Sequence, residues 1–287
     1  MTVALVTDST AYLPEDLRAS LGIGVVPLHV VVGGKEFSEG VDITAADVAA
    51  ALRSFVPVTT SRPAPRAFLD AYAAAADAGA TEIVSVHISA DLSATIGGAE
   101  LAAAESPVPV TIVDSRSLGM VMGYAVSSGA DLAAGGASGE EVAAHVRARC
   151  AASEVDFYVD TLEFLRRGGR IGTASALMGS ALAIKPILGL RRGAIVPLEK
   201  VRTASRAIAR LEERAGERIA AAVSGGGGVD VAVHHLDSAE RAAALAERLH
   251  ARVGESGQVR VVELGAVVGA HVGPGTLAIT VSPRVAG

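Results

Sequence analysis

The chain has 287 residues, half of them hydrophobic, but it contains no tryptophan and only 3% aromatic residues, so its core must be aliphatic. This length is enough for a sizeable core and commonly divides into two domains. The formal net charge of -6, with basic residues scattered along the chain, argues against nucleic acid as a partner.

Short β-branched runs alternate with alanine-rich segments through the first half, which predicts a parallel sheet with crossover helices. The predicted strands cover residues 3–7, 23–32, 82–89 and 110–115. The predicted helices cover residues 14–21, 45–55, 65–79 and 93–105. Glycines at both ends of the mostly polar segment 33–40 predict a hairpin or flap after the long strand 23–32.

Two helices are predicted between residues 118 and 150, where Ser138 and Glu141 have the spacing of a capping box. The second half shows two hairpin-like pairings in place of regular alternation. Its predicted strands cover residues 155–161, 183–190, 194–201, 229–235, 258–265 and 276–282. Its predicted helices lie around 162–182 and over 203–222 and 238–253. We therefore predict an α/β fold of two domains, an N-terminal Rossmann-like domain with a parallel sheet (1–153) and a C-terminal α+β domain (154–287).

The composition also bears on the compartment and on metals. Cys150 is the single cysteine, which excludes an intrachain disulfide and a cysteine-rich metal site, and the seven histidines lack metal-ligand spacing. The first ten residues have no basic segment ahead of an apolar run, so no signal peptide is expected. No uninterrupted apolar run reaches the roughly 20 residues of a membrane span. We expect a cytoplasmic protein that holds no metal.

Polar side chains follow several predicted strands, at the edge where open α/β sheets bind ligands. Asp8 ends the first strand, while Thr60 and Ser61 precede two prolines and are expected in a loop before a helix. Ser93 lies at the predicted N-cap of another helix, ahead of two glycines that leave space for a ligand. For Asp8, and for Thr60 and Ser61, turn formation and helix capping are the commoner roles of such residues. Hydroxyl donors at a helix N-terminus would also suit an anion.

Several common motifs are missing. The chain has no phosphate-binding loop, no dinucleotide-binding glycine pattern and no Gly-x-Ser-x-Gly nucleophile motif. Basic residues concentrate in the second half of this acidic chain: Arg166, Arg167, Arg170, Lys185, Lys200 and Arg202. They either complement helix C-termini or form a patch for an acidic partner or phosphate.

His271 lies in the segment GAHVGPGT, at the predicted end of an apolar strand. A neutral imidazole can donate one hydrogen bond and accept another, and its charge changes near neutral pH. A structural donor, a catalytic base and a contact to a ligand's polar head all remain open for it.

Seven segments in this order resemble the DegV family of fatty-acid-binding proteins, over nearly the whole chain. They are VTDSTAYLP, TSRPAP, DLSATIGGAELAA, VDSRSLGMVMG, TLEFLRRGGRI, KVRT and GAHVGPGT. Gly-Gly-Arg-Ile and His-Val-Gly-Pro-Gly are the most specific. The chain departs from the family pattern at Ala94, where glycine is typical, and at Ile96 and Gly97. These departures bear on the shape of the tunnel in which the family would hold its fatty acid.

The resemblance implies a protein that holds one long-chain fatty acid in an apolar tunnel and needs no cofactor. Thr60, Ser61, Ser93 and His271 match the positions that bind the carboxylate. In the family, some members present the acid to a separate kinase subunit, related to dihydroxyacetone kinases, which uses ATP to form an acyl phosphate. Arg170 and Arg202 would face the phosphate or that kinase, and membrane contact would be transient.

Two other functions remain open at this stage. Asp8, Ser93 and His271 could serve a stand-alone enzyme on a small acyl or phosphorylated substrate. Alternatively, a lipid-responsive regulator could use the arginine patch to contact another protein. Under the fatty acid hypothesis, His271→Ala or Ser93→Ala is expected to lower lipid retention.

Overall fold

The computed structural model describes residues 2–177 and 184–285. The strands of its first part are β1 (Val3–Asp8), β2 (Gly24–Val26), β3 (His29–Val32), β4 (Lys35–Ser38), β5 (Val58–Ser61), β6 (Glu82–His87) and β7 (Val110–Asp114). The helices are α1 (Glu15–Ser20), α2 (Ala45–Arg53), α3 (Pro65–Asp77), α4 (Thr95–Ala103), α5 (Met120–Ala134) and α6 (Gly139–Ala152).

The remaining strands are β8 (Glu154–Tyr158), β9 (Lys185–Arg191), β10 (Ala194–Val201), β11 (Val229–His235), β12 (Gly257–Glu263) and β13 (Leu277–Pro283). The remaining helices are α7 (Glu163–Arg167), α8 (Ala204–Ser224), α9 (Ala239–Val253) and α10 (Ala266–Val272). Short 3-10 helices cover Ser9–Ala11, Gly172–Leu177 and Gly254–Ser256. Part of the helical region predicted around 162–182 lies outside the described residues.

A parallel sheet of four strands, in the order β2-β1-β6-β7, confirms the α/β fold class. Helices connect its strands in sequence, as the alternation predicts. The side chains of β6 are almost all buried, and this strand carries the polar residues Ser85 and His87 into the core beside Ile83, Val84 and Val86.

A separate antiparallel sheet, in the order β4-β3-β5, interrupts this pattern. The prediction of one strand over 23–32 is therefore wrong, because Pro27 lies where the chain leaves the parallel sheet. A proline has no N–H to donate to a strand partner. The predicted hairpin is confirmed, since β3 pairs with β4 through a turn in which Gly33 and Gly34 both have positive φ.

The third sheet is mixed and has six strands in the order β10-β9-β8-β13-β11-β12. β9 and β10 form the predicted hairpin through Arg192 and Gly193. β8 also pairs antiparallel with β9, the next strand along the chain. β12 and β13 do not pair with each other; they lie on either side of β11. A local pattern cannot distinguish these arrangements, since either one buries the same apolar residues.

Two helix N-caps were predicted from short sequence motifs, and the structure confirms one of them. The capping box is confirmed, with Glu141 N–H donating to Ser138 Oγ (3.3 Å) and Ser138 N–H donating to Glu141 Oε2 (2.8 Å). Ser93, in contrast, is not the N-cap of α4. That position belongs to Ala94, which makes no side-chain capping bond.

The predicted domain boundary after residue 153 falls between the end of α6 and the start of β8. The domain boundary remains a prediction, because residues on both sides of it belong to one hydrophobic cluster. This cluster contains Leu5 and Val126 from the first part and Phe157, Leu188 and Val268 from the second. The cavity described below lies within this shared core. Among the residues that the structure describes, no helix combines the length and apolar character needed to cross a membrane.

Candidate functional site

A cavity of about 220 Å³ lies where the three sheets approach one another. Its apolar wall comes from many elements and includes Leu28, Ile88, Leu118, Leu165, Ile195 and Val268. Its polar lining is confined to Thr60, Ser61, Arg62, Ser93, Arg170 and His271. The site therefore has one polar end in otherwise aliphatic surroundings.

A smaller cavity of about 50 Å³ adjoins the first and is almost entirely apolar. The two share the side chains of Leu92, Leu118, Ile195, Val268 and Val272. The smaller cavity then continues to the six-stranded sheet at Val155, Phe157, Leu190 and Ala278. Together they form an apolar channel that leads inward from the polar groups.

A cleft of about 420 Å³ lies on the other side of those polar groups. It also contains Thr60, Arg170 and His271 in its lining, and Phe55, which is 85% exposed, marks its contact with solvent. The polar groups thus stand between an internal apolar channel and the outside of the molecule.

Thr60 and Ser61 end β5, which pairs with β3 in the small antiparallel sheet. The expectation that they lie in a loop is wrong, because Pro63 and Pro65 follow the strand and block pairing only beyond Ser61. Thr60 Oγ1 lies 2.9 Å from His271 Nε2. Ser61 lines the same cavity, but its hydroxyl donates to Glu36 Oε2 at 3.1 Å.

His271 lies in the last turn of α10, so its expected position at a strand end is wrong. The valine-rich segment is helical because it packs on both sides, against α2 and β3 on one and against the shared core on the other. Gly273, with a φ of 76°, ends the helix. The helix before Gly273 depends on these tertiary contacts, which the local sequence does not reveal.

The imidazole of His271 is held in a narrow space. Thr60 contacts Nε2 on one side, and Gly168 lies so close on the other that a Cβ there would be 2.1 Å from Nδ1. Nδ1 itself is buried and makes no hydrogen bond to any residue that the structure describes. Burial, together with the nearby Arg170 guanidinium, lowers the pKa of His271 to about 4. The ring is therefore neutral at pH 7.

We predict that the ring nitrogens of His271 show no titration between about pH 5.5 and 8 in the folded protein. The folded-state pKa of about 4 lies below the unfolded value of about 6.5. The folded protein binds fewer protons in this window, so the contribution of His271 to stability rises with pH across it. Ring ¹⁵N chemical shifts, assigned by loss of the signal in His271→Ala, provide the measurement. The denatured protein is the control, and a folded-state titration near 6.5 would contradict the prediction.

Arg170 and Ser93 complete the polar end. Arg170 follows α7 and donates from Nε to the Leu92 carbonyl (3.0 Å) and from Nη1 to the Gly168 carbonyl (2.7 Å). These bonds join the end of α7 to the loop that carries Ser93. Ser93 Oγ lies 2.8 Å from Thr95 Oγ1 and lines the cavity. Of the predicted site residues, the structure brings Thr60, Ser61, Ser93, Arg170 and His271 to one cavity.

Arg202 is not brought to this cavity. It follows β10 and is exposed, whereas the cavity meets that strand at Ile195 near its start. Val201, the residue before Arg202, lies six positions after Ile195 along the strand, a distance of roughly 20 Å at the usual rise per residue. Contact between Arg202 and a partner remains a prediction.

Three of the other basic residues make local contacts. Arg166 and Arg167 both pair with Glu163 on their own helix, and Lys185 donates to the Asp160 carbonyl. Arg166 and Arg167 lie in the last turn of α7, where the helix dipole favours cations.

Asp8 belongs to a different environment. It is fully buried and accepts hydrogen bonds from the Thr10 and Ile88 N–H groups, and its Oδ2 lies 3.1 Å from His87 Nδ1. His87 Nε2 lies 2.7 Å from Ser85 Oγ, which completes a Ser-His-Asp chain in the core. Ser85 and His87 have no exposed surface, so no substrate can reach this series of hydrogen-bonded side chains.

The geometry therefore does not support the alternative enzyme. The acceptor sites of Asp8 are used within the core, and it lines neither the cavity nor the cleft beside His271. Ser93 bonds to Thr95, and His271 bonds to Thr60. Asp8, Ser93 and His271 each bond to other partners, so they do not activate one another as a catalytic set.

Two important positions were not singled out from the sequence. Gly168 shapes the space for the imidazole, and its only signal was its place in the Gly-Gly-Arg-Ile segment. Glu39, which contacts the start of α10, had no signal beyond its place in the predicted hairpin.

Fold and site together define an α/β protein with an internal apolar channel that ends at hydroxyl, imidazole and guanidinium groups. The chain belongs to the DegV family, described as a family of uncharacterised proteins, whose profile matches residues 2–284. A DegV domain-containing protein of Streptomyces coelicolor, SCO2569, is 51% identical over 282 residues, which is 98% of this chain and 99% of that protein. A homologue from Deinococcus radiodurans is 37% identical, with 99% of each chain covered.

Two solved structures of DegV proteins match this fold over nearly the whole chain. A DegV family protein from Thermus thermophilus, described for its fatty acid binding, is 36% identical with a TM-score of 0.86 and covers 99% of this chain and 100% of its own. DegV from Bacillus subtilis, described as a fatty acid binding protein, is 30% identical with a TM-score of 0.89, and 99% of each chain is covered.

Proposed function

We propose that the protein binds one long-chain fatty acid in the apolar channel, with the carboxylate at Thr60, Ser61, Ser93 and His271. The observation that carries the proposal is the confinement of polar groups to one end of a buried aliphatic cavity. The fatty acid binding described for the Thermus thermophilus and Bacillus subtilis proteins supports it.

An aliphatic channel supplies the free energy for such a ligand. Burial contributes roughly 0.8 kcal/mol per methylene, so a chain of about 16 carbons gains on the order of 10 kcal/mol before the costs of ordering. The carboxylate is the harder part, since moving it from water without hydrogen-bond partners costs several kcal/mol. Hydroxyl groups, a neutral imidazole and the Arg170 guanidinium provide those partners.

The neutral state of His271 suits this role. A neutral imidazole can donate from Nε2 to a carboxylate oxygen while Thr60 turns its hydroxyl toward the other oxygen. The carboxylate is then held by hydrogen bonds, and the imidazole adds no second positive charge beside the Arg170 guanidinium.

We extend the proposal to substrate presentation. The protein would hand the bound acid to a separate kinase subunit, related to dihydroxyacetone kinases, that supplies ATP and forms an acyl phosphate. The cleft beside Arg170 and His271 supports this role, because it lies against the carboxylate end of the channel and contains exposed residues. Within the same proposal, the protein works in the cytoplasm and contacts the membrane only to exchange its lipid.

Mass spectrometry of an organic extract of the recombinant protein tests the proposal. We expect a long-chain fatty acid at close to one molecule per chain, and much less after extraction of a His271→Ala preparation. Absence of lipid, together with no binding of added fatty acid by the delipidated protein, would refute it. Incubation of the isolated chain with ATP should yield no acyl phosphate, whereas addition of the kinase subunit should yield it.

A further inference from the structure

Glu39 is a buried carboxyl group that the proposed function does not use. It follows β4 and is only 6% exposed. Among residues 2–177 and 184–285, no arginine, lysine or histidine forms a salt bridge with it. Burial raises its pKa to about 7. A carboxyl group kept in such surroundings is costly, so its contacts are informative.

Those contacts join three parts of the chain. Glu39 Oε1 accepts from the Val267 N–H at 2.8 Å, in the first turn of α10. Oε2 accepts from Ser9 Oγ at 2.5 Å, just after β1. Ser9 Oγ also accepts from the Leu28 N–H at 3.0 Å, and the Leu28 carbonyl accepts from the Glu39 N–H at 2.8 Å.

The residues held in this way belong to the binding cavity. Val267 and Leu28 both line it, and His271 lies four residues after Val267, one turn further along α10. A shift of Val267 is therefore a shift of His271, since a helix of seven residues moves as one piece. Glu39 itself does not line the cavity.

The carboxylate has little freedom to move. A Cβ on Gly265 would lie 2.2 Å from Glu39 Oε1 and 2.8 Å from Tyr12 Cε1. The backbone before α10 thus packs directly against the carboxylate, with the Tyr12 ring beside it. This close packing sets where α10 begins.

We infer that Glu39 is a positioning residue for His271 and for the cavity wall formed by Leu28 and Val267. This inference rests on the proposed function. Backbone hydrogen bonds from the Leu264 N–H and the Gly275 N–H anchor the chain on either side of α10. Glu39 adds a hydrogen bond inside the first turn and connects that turn to Ser9 at the end of β1. A polar site needs its groups held to within about 0.5 Å.

The test compares Glu39→Ala, Glu39→Gln and Glu39→Asp by two measurements. The first is amide hydrogen exchange of residues 264–272 in delipidated protein. The second is the dissociation constant of a fluorescent long-chain fatty acid. We expect Glu39→Ala to speed exchange at the start of α10 at least tenfold and to weaken binding at least tenfold.

Rescue separates positioning from a general loss of structure. Gln keeps an oxygen for the Val267 N–H and should return both values to within about threefold of wild type. Asp is one methylene shorter and cannot reach both partners, so it should resemble Ala. If Glu39→Ala does not fold, the comparison of Gln with Asp decides. Glu15→Gln removes an exposed acid next to the same loops without touching α10, and is the matched control.

The inference is overturned if Glu39→Ala or Glu39→Asp shows wild-type exchange and affinity, or if Gln fails to rescue. Failure of the proposed function gives a different result. Wild-type protein would then bind no fatty acid, while hydrogen exchange in the delipidated variants would still report whether Glu39 positions α10.

Discussion

His271→Ala is expected to weaken fatty acid binding by about 10- to 100-fold, because a hydrogen bond to a charged group contributes about 1.5–3 kcal/mol. His271 Nε2 lies 2.9 Å from Thr60 Oγ1 at the polar end of the channel, so both groups can donate to the carboxylate. The acyl chain keeps its apolar contacts in this variant. Affinity should therefore fall without being abolished.

Displacement of a fluorescent fatty acid measures this effect. His250→Ala, which alters an exposed histidine on α9, is the control and should bind as wild type does. Ser93→Ala should act in the same direction, since its hydroxyl would also donate to the charged carboxylate. Wild-type affinity in His271→Ala would remove this residue from the carboxylate site.

Gly168→Ala is expected to weaken fatty acid binding by a similar factor although it removes no polar group. Gly168 has an ordinary helical φ of -73°, so alanine meets no backbone strain there. The added Cβ would lie 2.1 Å from His271 Nδ1 and 2.8 Å from Cε1, which is too close for the ring to stay. The imidazole must turn away and lose its contact with Thr60.

A double-mutant cycle makes this prediction specific. In the His271→Ala background the ring is absent, so Gly168→Ala should have little further effect on affinity. Gly225→Ala is the matched control, because Gly225 also follows a helix with an ordinary φ of -75° and a Cβ there comes no closer than 3.4 Å to another atom. Full additivity of Gly168→Ala and His271→Ala would show that the methyl group acts by another route.

Local signals were sufficient wherever the deciding interactions are local. The capping box of Ser138 and Glu141 spans three residues, and the hairpin at Gly33 and Gly34 depends on positive φ values that glycine adopts readily. The parallel sheet follows from the alternation of strand and helix patterns. In the candidate site, the ordered motifs indicated Thr60, Ser61, Ser93 and His271 through a family resemblance, and not through spacing.

The sequence by itself determined the fold class, the aliphatic character of the core, most element positions and the residue types available for the site. Only the tertiary structure decided that 23–32 divides between two sheets, that the segment of His271 is helical and that Glu39 contacts α10. The physical reason is distance along the chain. Thr60 and His271 are 211 residues apart, and Glu39 and Val267 are 228 apart, so no local pattern encodes their contact.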